Sequence, residues 1–226
     1  MRSKSVRFLK WTLPVLAVSM SFATLMLHGQ QPTVLEMDFT NAQLVPAHWV
    51  LKINPDGSGQ FDADGGHPAD PDATHLWVGD VHRPVQLSAS FTEHIFASAR
   101  ARKLFVFPCE SHMKVAFQGT KRLSYSGPDG SGACEYNYSK DKEIEALGNS
   151  LIAVEYTILS GARMEMLLQH DRLGLDQELD NLTSAAREGN AAEMETIRAT
   201  LTRIESDDQV MDRARRKARF LLTQAR

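Results

Sequence analysis

The second half of the chain is written in steps of three and four. Ile144, Leu147, Leu151, Val154 and Ile158 form one apolar stripe, the period of an amphipathic helix. The pattern predicts a helix from about Asp141 to Gln169, with Gly161 as its weak point. Leu175, Leu179, Leu182 and Ala186 mark a second helix, which Gly189 closes as a C-cap before Asn190 opens the next as an N-cap. Met194, Ile197, Leu201 and Ile204 mark a third. After a break at Ser206-Asp207-Asp208, a fourth carries Val210, Met211, Ala214, Ala218, Leu221 and Leu222. Short connections favour antiparallel neighbours. No repeat of about 34 residues recurs, which excludes a tetratricopeptide array.

The first half reads differently. Short β-forming runs at 49–53, 60–61, 75–81, 85–88, 114–117, 122–125 and 133–138 are divided by turn residues. One helix interrupts them at Ser90–Lys103, with Ser90 and Glu93 as a capping box and Phe91, Ile95, Phe96 and Ala99 on one face. The pentapeptide Pro-Asp-Gly-Ser-Gly occurs at 55–59 and again at 128–132. Each copy lies between strand candidates and precedes a helix capped by serine, Ser90 or Ser139. The echo suggests a duplicated hairpin-plus-helix unit with an insertion at about 62–84; good turn chemistry arising twice explains it equally. Residues 30–48, with Pro32 and Pro46, read as a tether or a leading strand.

These patterns predict an α+β fold. A small antiparallel sheet of four to six strands with one packed helix occupies 49–140, and a long all-helical region of helical hairpins fills 141–226. A signal peptide or membrane anchor occupies 1–29. Arg2, Lys4, Arg7 and Lys10 precede the charge-free run Trp11–Leu27, the layout of a secretory signal. Cleavage fits after Ala23 or after Gly29. As an uncleaved anchor the run would reach only about 25 Å, short of a core of about 30 Å. The expected location is therefore periplasmic or secreted, or the inner membrane if the segment is retained, and this segment is the only membrane contact expected.

Charge narrows the partners. The net charge is −3, and without the four N-terminal cations it is −7, a poor match for nucleic acid. The basic run Arg213, Arg215, Arg216, Lys217 and Arg219 follows Asp207, Asp208 and Asp212, an order that complements a helix dipole. The two cysteines, Cys109 and Cys134, pair most simply as a disulfide in an oxidising compartment. Cys109 and His112 have the spacing of two zinc ligands, but no fourth donor stands beside Cys134.

The richest ligand set for a divalent metal is His67, Asp70, Asp72, His75, Asp80 and His82, in an acidic loop with Asp62 and Asp64. A calcium loop counted from Asn54 fails at its twelfth position, Gly65. A solvated loop accounts for the same residues. Ser58 and Ser131 lack the frame of a nucleophile elbow, no catalytic residue stands out, and no cofactor motif is present.

The run Cys134-Glu135-Tyr136-Asn137-Tyr138-Ser139 leading into a long helix, and the closing Val210-Met211-Asp212-Arg213-Ala214-Arg215, resemble exported bacterial proteins of unknown function. The resemblance implies export and assigns no activity. Two functions stay open. One is a non-catalytic binding or scaffolding protein of the cell envelope, which meets a protein partner or a second copy through Leu147, Leu151, Val154 and Ile158. The other is a metal-dependent hydrolase using loop 62–82.

Overall fold

The computed structural model describes residues 32–65 and 79–225. Six antiparallel strands, β1 (Val34–Thr40), β2 (His48–Ile53), β3 (Ser58–Asp64), β4 (Val81–Gln86), β5 (Thr120–Gly127) and β6 (Gly130–Tyr136), form one sheet in the order β4-β3-β2-β1-β5-β6. Helix α1 (Ala89–Ala101) lies between β4 and β5 in the chain. The helical region follows as α2 (Lys142–His170), α3 (Leu175–Glu188), a 3-10 turn (Met194–Ile197), α4 (Arg198–Ser206) and α5 (Asp212–Gln224). Among the described residues no helix is long and apolar enough to cross a membrane.

Alternation builds the sheet core. Leu35, Met37 and Phe39 of β1, Trp49, Leu51 and Ile53 of β2, and Phe61 and Ala63 of β3 are buried on one face, as period-two strands require. Phe39 stacks on Trp49 with ring centroids 5.3 Å apart. Helix α1 lays Thr92, Ile95, Phe96 and Ala99 into this face. The other face is polar.

Several boundaries correct the sequence reading. Of the two readings of residues 30–48, the leading strand holds and the tether does not: they contain β1, which sits between β2 and β5 at the centre of the sheet. Residues 114–117 join no strand. Ser88 rather than Ser90 caps α1, accepting from the Phe91 N–H at 3.3 Å. Asp141 rather than Ser139 caps α2, accepting from Glu143 and Ile144. Gly189 does end α3, but Asn190 opens no helix, and the expected third helix is divided into the 3-10 turn and α4. The two pentapeptides make different turns. Ile53 pairs with Gly59 across a wide loop, whereas Gly127 pairs with Gly130 across Pro128-Asp129 alone.

Helix α2 spans 29 residues, roughly 43 Å at 1.5 Å per residue. Its first half packs on the sheet through Ile144, Leu147, Leu151, Val154 and Ile158. Its second half contributes Met164 and Leu168 to a separate core with Leu175, Leu179, Leu182, Leu201, Ile204 and Leu221. Leu147, Leu151, Val154 and Ile158 are at most 1% exposed. They are therefore the centre of the fold and not the partner surface that their stripe suggests. The changeover falls near Gly161, where a side chain would collide with Ile197, so helix and 3-10 turn approach closely.

Polar joints fix the two cores to each other. Arg83 of β4 holds Glu165 of α2 through both guanidinium NH2 groups, at 3.1 and 3.3 Å, and the Thr200 hydroxyl donates to the same carboxylate at 2.7 Å. Glu193 accepts from the backbone N–H and hydroxyl of Ser88. Helices α4 and α5 pack tightly. The basic run of α5 is mostly tied to neighbouring acids: Arg213 to Asp176 at 2.8 Å, Lys217 to Asp176 and Asp180, and Arg219 to Glu205.

The segment from α1 to β5 crosses the hairpin of β5 and β6. Lys103, Leu104 and Phe105 all have positive φ, between 51° and 66°, which for side-chain-bearing residues is held only by strong surroundings. Phe105 is fully buried, and the Leu104 carbonyl lies where a side chain on Gly132 would be. Cys109 then forms the expected disulfide with Cys134 of β6, their Cα atoms 5.7 Å apart.

Candidate functional site

Beyond the disulfide, the chain makes a loop whose two ends are fastened to one residue. Asn137, just past β6, donates its backbone N–H to Glu110 at 2.7 Å. Its side-chain amide donates to the Ala116 carbonyl at 3.2 Å, and its side-chain oxygen accepts from the Gln118 N–H at 2.7 Å. The Ser111 N–H donates to the Tyr138 carbonyl at 2.9 Å. Between these anchors residues 112–118 are all exposed. Met113, Val115 and Phe117 stand 51, 39 and 57% accessible, three large apolar side chains within five residues of an unpaired segment.

Under the loop lies a buried ionic corner. Lys121, at the start of β5, is only 2% exposed. Its ammonium donates to the Asn137 carbonyl at 3.0 Å, lies 3.9 Å from Glu145 of α2, and sits 5.2 Å from the centre of the Tyr136 ring. Burial lowers the Lys121 pKa, which Glu145 partly opposes, and burial raises that of Tyr136. The Tyr136 hydroxyl donates to the Ile144 carbonyl at 3.1 Å, and Glu145 accepts from the Ser139 N–H at 2.5 Å. Each polar group in this corner is thus spent on the backbone or on its neighbour, an arrangement that fixes geometry. An open cleft of about 480 Å³ adjoins it, lined by Gln118, Tyr138, Ser139, Lys140, Lys142 and Glu145 among others.

The predicted metal ligands fall elsewhere. His67, Asp70, Asp72 and His75 lie outside the described residues, as does most of the strand expected at 75–81. Asp80 accepts from the Gly65 N–H at 2.9 Å, and His82 faces Asp62 at 2.8 Å. Among the described residues no three His, Cys, Asp or Glu side chains are arranged to hold a metal ion. Cys109 is committed to the disulfide, which removes the Cys109–His112 ligand pair.

A second histidine joins the polar sheet face. The ring nitrogens of His48 face Asp38 at 3.1 Å and Asp64 at 3.2 Å, and only the doubly protonated ring donates to both. The hydrogen bond to Asp64, with Asp38 adding to it, raises the His48 pKa above 6.5 despite some burial. The bond to Asp62 does the same for His82 and lowers the Asp62 pKa below 3.8. Histidines raised in the fold stabilise it fully below about pH 6.5, and that contribution is lost as pH rises through their folded values. Asp62 contributes above about pH 3.8 and its share is lost as pH falls through its depressed value. Solvent screening keeps both effects small. NMR titration should place both histidines above 6.5, and His48→Gln should flatten the fall of melting temperature above that pH. A His48 ring that titrates at or below 6.5 would contradict the bridging geometry.

Burial alone marks one further acid, the partly buried Glu155 of α2, pushed up to about 8 by desolvation against the pull of Arg163. Sequence reasoning missed Lys121, Asn137, Glu145 and His48. Lys121 was open to detection, because it continues the buried alternation of Leu123 and Tyr125. Compared with known proteins, the chain matches no protein-family model and no curated protein.

Proposed function

We propose that the chain is a non-catalytic binding protein of the cell envelope and that segment 112–118 is its recognition loop. One observation carries the reading: Met113, Val115 and Phe117 project into solvent from a base fixed at both ends by Asn137. The local sequence favours a strand, yet the fold leaves it unpaired, and such disagreement between local preference and tertiary structure concentrates at functional sites. Loops that carry binding residues sit on rigid scaffolds of this kind. The basic-then-apolar N-terminus and the disulfide fit an exported protein in an oxidising compartment.

Replacing Met113, Val115 and Phe117 together with serine tests the reading. The three side chains are outside the core, so stability should change by no more than about 0.5 kcal/mol per site. A photo-cross-linking residue placed at 114 in the exported chain should give a defined adduct in wild type and none in the triple variant. An adduct that survives all three substitutions would refute a recognition role for the loop.

A further inference from the structure

The composition of the corner points to the kind of surface the loop meets. Lys114 lies within the apolar trio, and Lys140 and Lys142 line the cleft that Gln118, the last residue of the loop, also lines. All three lysines are exposed, and none is ion-paired among the described residues. The neighbouring acids are engaged elsewhere. Arg102 holds Asp141 and Glu143, at 3.2 and 2.8 Å. Glu145 turns to the Ser139 N–H and Lys121, and Glu110 to the backbone N–H groups of Asn137 and His112. What faces outward is three large apolar side chains with Lys114 among them, and at the end of the loop a cleft that carries Lys140 and Lys142.

We infer that this corner docks on an anionic lipid surface, with Met113, Val115 and Phe117 entering the interface and Lys114, Lys140 and Lys142 meeting the headgroup phosphates. The inference rests on the recognition role proposed for the loop. Charge complementarity selects the occupant. A second copy of this chain would set the same three lysines against one another across a two-fold contact, whereas a bilayer rich in acidic headgroups supplies both an apolar interior and the counter-charge. The cleft beside Lys140 and Lys142 is open to solvent and about 480 Å³ in volume, room for a headgroup next to the inserted side chains.

The test reads the loop itself, because the N-terminal apolar run could bring any variant to a membrane. The full chain carrying Met113→Cys is labelled there with an environment-sensitive nitrobenzoxadiazole dye and mixed with vesicles of phosphatidylcholine alone, or of phosphatidylcholine with about a third phosphatidylglycerol. The expected result is a blue shift and quenching by spin-labelled lipid on the acidic vesicles only, weakened by salt. Each lysine near such a surface is worth about fivefold in partition. Lys114→Gln with Lys140→Gln and Lys142→Gln should therefore reduce acid-lipid-dependent binding by on the order of a hundredfold at low salt. Equal shifts on both vesicle types would overturn the charge argument. No shift on either, or a shift that appears without lipid as protein concentration rises, would overturn the lipid surface as occupant. In those cases an envelope adduct at 114 that the triple serine variant loses would leave the recognition loop standing with a protein partner. Absence of that adduct would remove both.

Discussion

Leu151→Asp with Val154→Asp should abolish cooperative folding. Both side chains are fully buried between α2 and the sheet, and burying each contributes roughly 1.5–3 kcal/mol. Aspartate loses that contribution and adds the desolvation of a buried carboxylate, a penalty of several kcal/mol per ion. Two such changes approach the whole folding free energy of about 5–15 kcal/mol. Thermal melts followed by circular dichroism should show no native transition, while Leu151→Met, which conserves volume, should lose under about 1.5 kcal/mol. A double variant that stayed folded and lost only association would return α2 to the role of partner surface.

The second large effect concerns the disulfide. Cys109 and Cys134 are 25 residues apart, and releasing a loop of that length from the unfolded chain costs about 3–4 kcal/mol of stability. At about 2–4 °C per kcal/mol for a chain of this size, Cys109→Ala with Cys134→Ala should lower the melting temperature by roughly 6–16 °C. The effect should also be local. The left-handed residues Lys103–Phe105 and the anchors of loop 112–118 flank Cys109, so hydrogen exchange there should accelerate more than in β1 to β3. Intact wild-type protein should weigh two hydrogens less than its reduced form. Two thiols open to alkylation in native, exported material would contradict the bridge.

What the sequence made legible follows from which forces are local. Helical period is a local property, so Leu175–Ala186 and Ile144–Ile158 announced α3 and α2 within a few residues. Which face those stripes meet is a tertiary matter, and the stripe at 144–158 proved to be the sheet's own cover. Strand status is less local still. Val34–Thr40 and Lys114–Phe117 both alternate, but only Val34–Thr40 has neighbours on both sides. Two flanking prolines left that segment open between a tether and a strand. In Lys114–Phe117 the alternation of apolar residues is the same whether they face a core or, as here, solvent. The repeated pentapeptide shows the same limit, since its turn type depends on which flanking residues pair. Lys121 continues the inward phase of Leu123 and Tyr125, so its burial was legible, but the partners that make it tolerable, Asn137 and Glu145, are brought to it only by the fold.

Helix α2 gives the two cores a common fate. Because its first four turns are sealed under one core and its last turns under the other, neither core can open without stripping hydrogen-bonded backbone that belongs to both. A helix tolerates fraying at its ends far better than rupture in its middle, and in its second half Glu165 ties it to Arg83 of the strand and Thr200 of the bundle alike. The molecule should therefore melt as one thermodynamic unit, with the sheet and the bundle sharing a single free energy of unfolding and not holding two independent ones.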